Sequence, residues 1–285
     1  MNLKSFIEQM VIVTVLYQKR LEDAEVIVSV EKTAEQSGVV FDMIVFDNSP
    51  NINPKKMQSG FVDYEYYDNQ QNVGVSECYN KAVAIAIGKG KKWVLITDSD
   101  FSFGIDLITA YYNAIGEFPD CKLFSPILVC SNKIISPYKK VFHRYNIFKK
   151  VNPGIYGSKG ISIINNGMLC APEVFSKTGG YCPAVMLDFS DDWFVSRYLQ
   201  YYSSFVIIDF QIHHRLSSFE KHSFISVIQR FRMYCDGAYQ MSKLYLDGYW
   251  YCIWSLFRAI RLGFRYRNFG FLKIFVNTFF RGKKI

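Results

Sequence analysis

Apolar and polar positions alternate in blocks along the first hundred residues. Runs dominated by apolar and aromatic side chains predict strands of a buried, parallel sheet at residues 11–17, 41–46, 61–67 and 93–96. Between them, apolar positions recur at helical spacing in residues 20–32 and 76–87. The order strand, helix, strand, strand, helix, strand predicts an α/β fold with a largely parallel sheet and right-handed crossovers.

The second half of the chain is less regular. Its pattern predicts helices at 105–115, 171–178 and from about 191, apolar or β-rich runs at 122–130, 161–164 and 204–210, and helical, aromatic-rich sequence from 224 onward. Residues 132–162 mix Lys, Tyr, Pro and Gly, and their pattern favours no element.

Polar residues follow three of the predicted strands, as Tyr17-Gln18, Asp47-Asn48-Ser49 and Asp98-Ser99-Asp100. In an open α/β sheet these ends share the edge that binds ligands. Asp98 and Asp100 alternate by two, so on an extended backbone they point the same way, and such a pair suits a hard divalent cation holding phosphates. The alternative is a solvated turn. Neither G-x-G-x-x-G nor G-x-x-x-x-G-K-[ST] follows a strand, which argues against a dinucleotide dehydrogenase and a P-loop enzyme.

A second acidic cluster contains Asp188, Asp191 and Asp192 among large apolar side chains. Asp191 and Asp192 fall in the first turn of the predicted helix, where the helix dipole favours a carboxylate. One of them is a general base, or they merely cap the helix. After the strand at 204–210 come two adjacent histidines, His213 and His214, in a chain that has only four.

Charge separates the body of the chain from its end. The net charge is +8. The segment after Asp247 contains eight basic residues and no acidic one, so the first 247 residues together have no net charge. A neutral body argues against a nucleic-acid-binding protein. The basic, Trp-, Tyr- and Phe-rich segment fits an amphipathic helix lying on anionic lipid. The alternatives are a helix that covers the domain, a disordered end, and a dimerisation element.

Composition adds two expectations. Seven cysteines are scattered without a C-x-x-C pair, which fits a reducing compartment and excludes zinc ribbons. No span approaches twenty consecutive apolar residues, so no transmembrane helix is expected. The apolar run near the N-terminus lacks a small-residue cleavage site and is better explained as a first strand than as a signal peptide.

Six short motifs occur in an informative order. They are Asp47-Asn48-Ser49, Asn72-Val73-Gly74 with Asn80, Asp98-Ser99-Asp100, Gly179-Gly180, Leu187-Asp188-Phe189-Ser190-Asp191 and His214-Arg215-Leu216-Ser217. Over about residues 10–220 the chain resembles family-two inverting glycosyltransferases of the GT-A fold, with rhamnosyltransferase-like enzymes of bacterial surface-polysaccharide synthesis most similar. The implied architecture is a GT-A (Rossmann-like), mostly parallel sheet flanked by helices, followed by a helical, basic aromatic tail.

The resemblance implies a role for each matching residue. The nucleotide-sugar site would be formed by Thr14, Leu16, Tyr17, Asp47, Asn48, Asn72, Gly74, Asn80, Asp98 and Ser99. Mg²⁺ or Mn²⁺ would be held by Asp100, Asp98 and His214. Asp191 matches the catalytic base, while Asp188 and Asp192 remain alternatives because Trp193 replaces a common acidic residue.

The implied activity is a hexosyltransferase reaction that moves a sugar from a nucleotide-sugar donor to a lipid-linked glycan, as in O-antigen or capsule synthesis. Rhamnose from dTDP-rhamnose is the best-matching donor sugar, and UDP-galactose or UDP-glucose are alternatives. A non-catalytic nucleotide-sugar-binding or scaffold protein is the competing class. Residues 1–222 would form the catalytic domain, with a nucleotide-sugar half (1–103) and an acceptor half (104–222). Residues 223–285 would attach it to the inner face of the cell membrane from the cytoplasm, or join two copies in a homodimer.

Overall fold

The structure is a computed structural model that describes residues 2–50, 59–157, 160–213 and 223–281. Its helices are α1 (Leu3–Glu8), α2 (Glu25–Ser37), α3 (Val75–Gly88), α4 (Ile105–Glu117), α5 (Glu173–Thr178), α6 (Ser190–Tyr201), α7 (Phe224–Ser242), α8 (Tyr249–Tyr266) and α9 (Gly270–Phe280). Its strands are β1 (Met10–Leu16), β2 (Phe41–Asp47), β3 (Val62–Asp68), β4 (Trp93–Asp98), β5 (Leu123–Cys130), β6 (Lys133–Ser136), β7 (Tyr138–Val141), β8 (Arg144–Ile147), β9 (Gly154–Tyr156), β10 (Ile161–Ser162), β11 (Met168–Cys170) and β12 (Phe205–His213).

The main sheet has the strand order β3-β2-β1-β4-β11-β5-β12-β9, and β6 pairs with β5. The four strands of the first hundred residues are mutually parallel, as is the β5–β12 pair. β11 runs antiparallel between β4 and β5. The predicted α/β class with a mostly parallel sheet flanked by helices is therefore confirmed.

Side chains alternate along the central strands, so each strand supplies two hydrophobic cores. Ile12 packs with α1, α2 and α4 on one face, whereas Val11 and Val13 pack with α3, α5 and α6 on the other. Because both faces are covered by helices, the central strands are apolar throughout. This burial explains why the pattern of the first hundred residues predicts β1 to β4, α2 and α3, although α2 begins five residues later than the predicted 20–32 and the short α1 is not predicted.

The segment that favoured no element contains five short strands. β7, β8 and β10 form a separate antiparallel sheet, and the β7–β8 hairpin is largely exposed. β10 falls within the predicted run at 161–164; the other four strands have three or four residues and little apolar burial, so hydrophobic periodicity is too weak to reveal them. The three-residue β11 is hidden for the same reason, although it lies in the middle of the main sheet.

The C-terminal segment is helical, as expected. α7, α8 and α9 share a small hydrophobic core, and a second cluster packs Met241 and Tyr251 against Phe189 and Trp193 at the start of α6. These helices thus pack against the segment that leads into α6. None of the helices in the described part of the chain is both long enough and apolar enough to cross a membrane.

Candidate active site

The carboxyl ends of β1, β2 and β4 meet at one edge of the sheet. Leu16 pairs with Asp47, and Val15 pairs with Asp98, so the polar residues that follow these strands come together. β4 ends at Asp98 and a turn follows, in which the Phe101 N–H donates to the Asp98 carbonyl at 3.1 Å. Asp98 and Asp100 are therefore related by a turn, and the expected alternation on an extended strand is wrong.

Asp98 and Asp100 are both half-buried at this edge. Within the described residues, the Asp100 carboxylate has no hydrogen-bond or ion-pair partner, and no cluster of three or more His, Cys, Asp or Glu side chains is suited to a metal. Mg²⁺ characteristically binds one or two carboxylates and completes its shell with water and substrate phosphates. The two-carboxylate donor set fits such a cation, which would share its shell with a diphosphate.

Asp47 is fixed by its neighbours. Its carboxylate is only 2% exposed and accepts hydrogen bonds from the Ser49 N–H at 2.8 Å and the Tyr66 hydroxyl at 2.6 Å. Burial, followed by this hydrogen bond to Asp47, raises the pKa of Tyr66 above its ordinary value. Asn48 is also buried, and its side-chain oxygen accepts from Asn69 at 2.8 Å. These contacts shape the loop after β2; contact with a nucleotide base stays a prediction.

The Asn72-Val73-Gly74 motif forms the entry to α3. The Asn72 side chain accepts from the Gly74 N–H at 3.0 Å, and Gly74 has a φ of 84°. A Cβ on Gly74 would lie 2.9 Å from the Met186 carbonyl, so both the conformation and the space require glycine. The Val75 N–H donates to that carbonyl at 2.9 Å. The motif therefore holds the start of α3 against the segment that carries the second acidic cluster.

Asn80 performs a related task. Its side-chain oxygen accepts from the Tyr181 N–H at 2.9 Å, and its NH₂ group donates to the Tyr181 carbonyl at 2.8 Å. The amide thus bonds both backbone groups of Tyr181, the residue that follows Gly179-Gly180. This arrangement makes Asn80 a positioning residue for that loop, and its place beside the nucleotide stays a prediction.

Asp191 lies in the first turn of α6 and faces the sheet edge. Burial raises the pKa of Asp191 to about 8, and the negative charges of Asp98 and then Asp192 add to the increase. The Ser190 hydroxyl, 3.2 Å from the carboxylate, and the Asn165 backbone oppose it by hydrogen bonding. A carboxyl group in this environment can exchange a proton near neutral pH.

Asp192 points the other way. It is 8% exposed, accepts a hydrogen bond from the Tyr138 hydroxyl at 2.8 Å, and forms an ion pair with Lys140 at 3.4 Å. Burial lowers the pKa of Lys140, but the charges and hydrogen bonds of Asp192 and Tyr245 together outweigh burial, so the pKa of Lys140 is raised. Asp192 is thus neutralised within the protein.

Asp188 faces the C-terminal helices. Its carboxylate lies 3.7 Å from the Arg230 guanidinium on α7. A Cβ on Gly237 of α7 would lie 2.6 Å from the Asp188 carbonyl, so glycine permits this close packing. The charge of Asp98 acts on the pKa of Asp191, and which of Asp188, Asp191 and Asp192 is the base stays a prediction.

The remaining predicted site residues are placed as follows. Thr14 and Leu16 are buried, Tyr17 is half-exposed, and the Ser99 carbonyl accepts from the Lys19 ammonium at 3.4 Å. His213 ends β12 and is exposed. His214 lies outside the described residues, so its predicted contact with a metal stays a prediction.

Two asparagines missed by the sequence reasoning connect the acidic groups. The Asn166 side chain accepts from the Asp98 N–H at 2.8 Å, and the Asn165 backbone bonds to Asp191. Both precede β11, whose antiparallel course brings its start beside the end of β4. The only sequence signal was the turn-like Asn165-Asn166-Gly167, which by itself indicates a loop.

Comparisons with known proteins identify the fold. No family model and no curated protein sequence matches the chain. Among solved structures, the chain is similar to GalNAc-T7, crystallised with UDP, GalNAc and Mn²⁺, with a TM-score of 0.55 and 11% identity over 82% of this chain and 50% of that one. It is also similar to residues 1–349 of S. aureus TarS, with a TM-score of 0.51 and 12% identity over 96% of this chain and 73% of that one. This chain therefore spans about half the length of the GalNAc-T7 chain.

The mostly parallel sheet flanked by helices matches these GT-A neighbours, and the chain has the GT-A fold. At this level of identity the likeness identifies the architecture and leaves the reaction to be argued from the site.

Proposed function

We propose that this protein is an inverting glycosyltransferase that uses a nucleotide-sugar donor. The observation that carries the proposal is the Asn165-Asn166 connection, which joins the end of β4 at Asp98 to Asp191 at the start of α6. Sugar transfer needs a group that holds the leaving diphosphate and a separate base for the acceptor. The sheet edge presents carboxylates for both tasks on separate segments.

Asp191 is the proposed base. Its carboxylate takes the proton from the acceptor hydroxyl while that oxygen attacks C1 of the donor sugar. The bond between C1 and the diphosphate oxygen breaks, and the nucleoside diphosphate leaves with the bonding electron pair, which inverts the configuration at C1. Asp98 and Asp100 would hold a divalent cation such as Mg²⁺ or Mn²⁺, which when bound supplies Lewis-acid stabilisation of the diphosphate. Asn166 positions Asp98 for that role by holding its backbone N–H.

The donor and acceptor are finer proposals that rest on sequence resemblance. dTDP-rhamnose is the first donor to test, followed by UDP-galactose and UDP-glucose. UDP-GalNAc joins the panel because UDP and GalNAc are the ligands in the GalNAc-T7 structure. The proposed acceptor is a lipid-linked glycan of a polysaccharide pathway.

A donor panel read by released nucleotide tests the activity. We expect one donor to be turned over in the presence of Mg²⁺ or Mn²⁺ and not with EDTA. Asp191→Asn should lower that rate by about 10²–10⁴-fold, the usual contribution of a general base. Binding of the donor nucleotide, measured by calorimetry, should persist in the variant.

Asp209→Asn is the matched control, because Asp209 is an exposed carboxylate on β12. It should leave turnover unchanged. Nucleotide binding without turnover of any donor would favour the non-catalytic scaffold, and full activity of Asp191→Asn would refute the assigned base.

The C-terminal helices are proposed to hold the enzyme at an anionic membrane surface. The lipid-facing surface is defined here as Phe264, Arg265, Arg267, Phe269 and Lys273, all exposed around the turn between α8 and α9. Phe264 is 81% and Phe269 84% exposed, which is unusual for phenylalanine in a domain surrounded by water. Aromatic rings that enter the interface and cations that meet anionic headgroups would bind such a membrane together, at about 1 kcal/mol per basic residue. In this proposal residues 1–222 perform catalysis and residues 223–285 attach them to the cytoplasmic face.

Vesicle co-sedimentation tests this attachment. The protein should pellet with phosphatidylglycerol vesicles and remain in the supernatant with phosphatidylcholine vesicles at the same salt concentration. Phe264→Ser combined with Phe269→Ser should reduce the pelleted fraction severalfold. Phe61→Ser, at an exposed position before β3, is the control. Equal binding to both vesicle types would contradict recognition of anionic headgroups, and a concentration-dependent mass without vesicle binding would favour the dimerisation alternative.

A further inference from the structure

A cleft of about 480 Å³ lies where the β7–β8 hairpin meets α7 and α8. Its volume falls in the range of small-molecule binding sites. Aromatic rings and guanidinium groups line it together, among them Tyr234, Trp254, Phe257, Arg144, Arg258 and Arg261. None of these six residues belongs to the nucleotide-sugar edge of the sheet.

The cleft carries uncompensated positive charge. Arg144, Arg258 and Arg261 form no ion pair with any carboxylate in the described part of the chain. The nearby acids are engaged elsewhere, since Asp247 bonds to His143 at 2.8 Å and Asp188 pairs with Arg230. An anionic group would therefore be attracted into this space.

Two of the guanidinium groups are held against aromatic rings. Arg258 lies 3.9 Å from the centre of the Tyr234 ring, and Arg144 lies 5.2 Å from that of Trp254. Stacking of this kind positions the guanidinium plane while its edge N–H groups stay able to donate to a phosphate. The rings themselves offer apolar faces that suit the C–H surface of a sugar.

The β7–β8 hairpin, which carries Arg144, has a strained backbone at its turn. Phe142 and His143 both have positive φ, 48° and 56°, which is unfavourable for bulky side chains. The Trp254 indole N–H donates to the Phe142 carbonyl at 2.8 Å, and Phe142 packs on Trp250. These contacts with α8 keep both walls of the cleft together.

The cleft adjoins the proposed base. Phe189 lines it, with its ring 5.0 Å from Tyr234 and 5.6 Å from Tyr251. Phe189 is also the residue that precedes α6, two positions before Asp191. A ligand in the cleft would thus lie beside the segment that presents the acceptor base.

We propose that this cleft is an acceptor subsite that binds a sugar joined to a phosphate ester. The guanidinium groups bind the phosphate, and the aromatic rings hold the attached sugar. The inference rests on the proposed function, because it identifies the chemistry of the acceptor. Arg258 and Phe264 are six residues apart on α8, about 9 Å along the helix axis. A phosphate in the cleft would therefore lie near the lipid-facing surface, where a lipid-linked acceptor presents its phosphate.

The test is calorimetric binding of N-acetylglucosamine 1-phosphate to the full chain in EDTA, with N-acetylglucosamine and inorganic phosphate as partial ligands. The sugar phosphate should bind at least tenfold more tightly than either part. Arg258→Gln and Arg144→Gln should each weaken it about tenfold or more, as expected for a charge-assisted hydrogen bond. Phe257→Ala, at a 60% exposed position of the cleft, should weaken it without unfolding the protein. Arg232→Gln, an exposed arginine of α7 outside the cleft, should bind like the wild type.

Equal binding of inorganic phosphate and sugar phosphate would overturn the proposal, as would unchanged binding in both cleft arginine variants. If Arg258→Gln lost affinity for phosphatidylglycerol vesicles but kept that for the sugar phosphate, the cleft would be a lipid-headgroup site and the proposal would fail. UDP binding to the same variants distinguishes failure of the acceptor subsite from failure of the proposed function. Loss of sugar-phosphate binding with UDP binding intact supports the subsite, whereas absence of UDP binding in the wild type contradicts the proposed function alone.

Discussion

Two neighbouring regions of the molecule place an aspartate carboxyl group in opposite electrostatic environments. At the sheet edge, burial and then the negative charge of Asp98 raise the pKa of Asp191. The junction between the β7–β8 hairpin, α6 and α7 holds Asp192 with Lys140 and Tyr138, and there the charge is paired. Asp191 and Asp192, which are adjacent in the first turn of α6, thus lie in different electrostatic environments. The junction stabilises the fold through a paired charge, whereas the sheet edge holds a carboxyl group that can exchange a proton near neutral pH.

The largest expected effect tests the junction. Asp192→Ala leaves the buried Lys140 ammonium without its counter-charge, and breaking a buried pair in this way costs about 3–5 kcal/mol of unfolding free energy. Urea denaturation followed by circular dichroism measures it. Asp209→Ala, at an exposed position, should change stability by about 0.5 kcal/mol or less. A similar small loss in both variants would show that the junction contributes little.

The second prediction concerns the sheet edge and its pH dependence. Folded Asp191 keeps its proton up to about pH 8, whereas the unfolded chain releases it near the ordinary value of 3.8. The unfolded state therefore binds fewer protons between these values, and wild-type stability falls as pH rises through this window.

Asp191→Asn removes that penalty. The unfolding free energy of the variant, relative to that of the wild type, should increase by up to about 1.4 kcal/mol per pH unit between pH 5 and 7. This difference should level off above pH 8. Urea titrations at each pH in EDTA measure it, with Asp209→Asn as the control. A difference that does not change with pH would contradict the raised pKa.

A smaller effect should follow from removing one charge at the sheet edge. Asp98→Asn eliminates the second-largest cause of the raised pKa of Asp191, after burial, so that pKa should fall and remain above the ordinary value. Carbon-detected NMR titration of ¹³C-labelled aspartate, without divalent cations, follows this group. Asp100→Asn, which is not among the causes of the shift, should move it less. Equal shifts in the two variants would show that Asp98 has no special coupling to Asp191.

Apart from α1, the helices and strands of the first hundred residues were predictable because they follow simple hydrophobic patterns. β1, β2 and β4 are apolar on both faces, and α3 ends near the glycine that marks its boundary. Apart from β10, the short strands between residues 133 and 170 were not predictable, because their register depends on pairing with other segments of the chain. β11 shows this most clearly, since three residues are inserted between β4 and β5 by pairing alone.

The residues of the candidate site were predictable from the sequence, whereas their arrangement in space was not. Asp98, Asp100 and Asp191 could be recognised as candidates from strand ends and motif order. Their relation to one another could not, since it depends on the antiparallel course of β11 and the turn before it.

The sequence by itself determined the fold class, the edge of the sheet where polar residues gather, and the basic, aromatic character of the C-terminal helices. These properties follow from local patterns, because burial and periodicity act on neighbouring residues. Only the tertiary structure decided which carboxylate faces the sheet edge and which is neutralised. Asp191 and Asp192 are identical in chemistry and adjacent in sequence, so their difference arises from Asp98 on one side and Lys140 on the other. Both partners are brought there by pairings that span more than fifty residues.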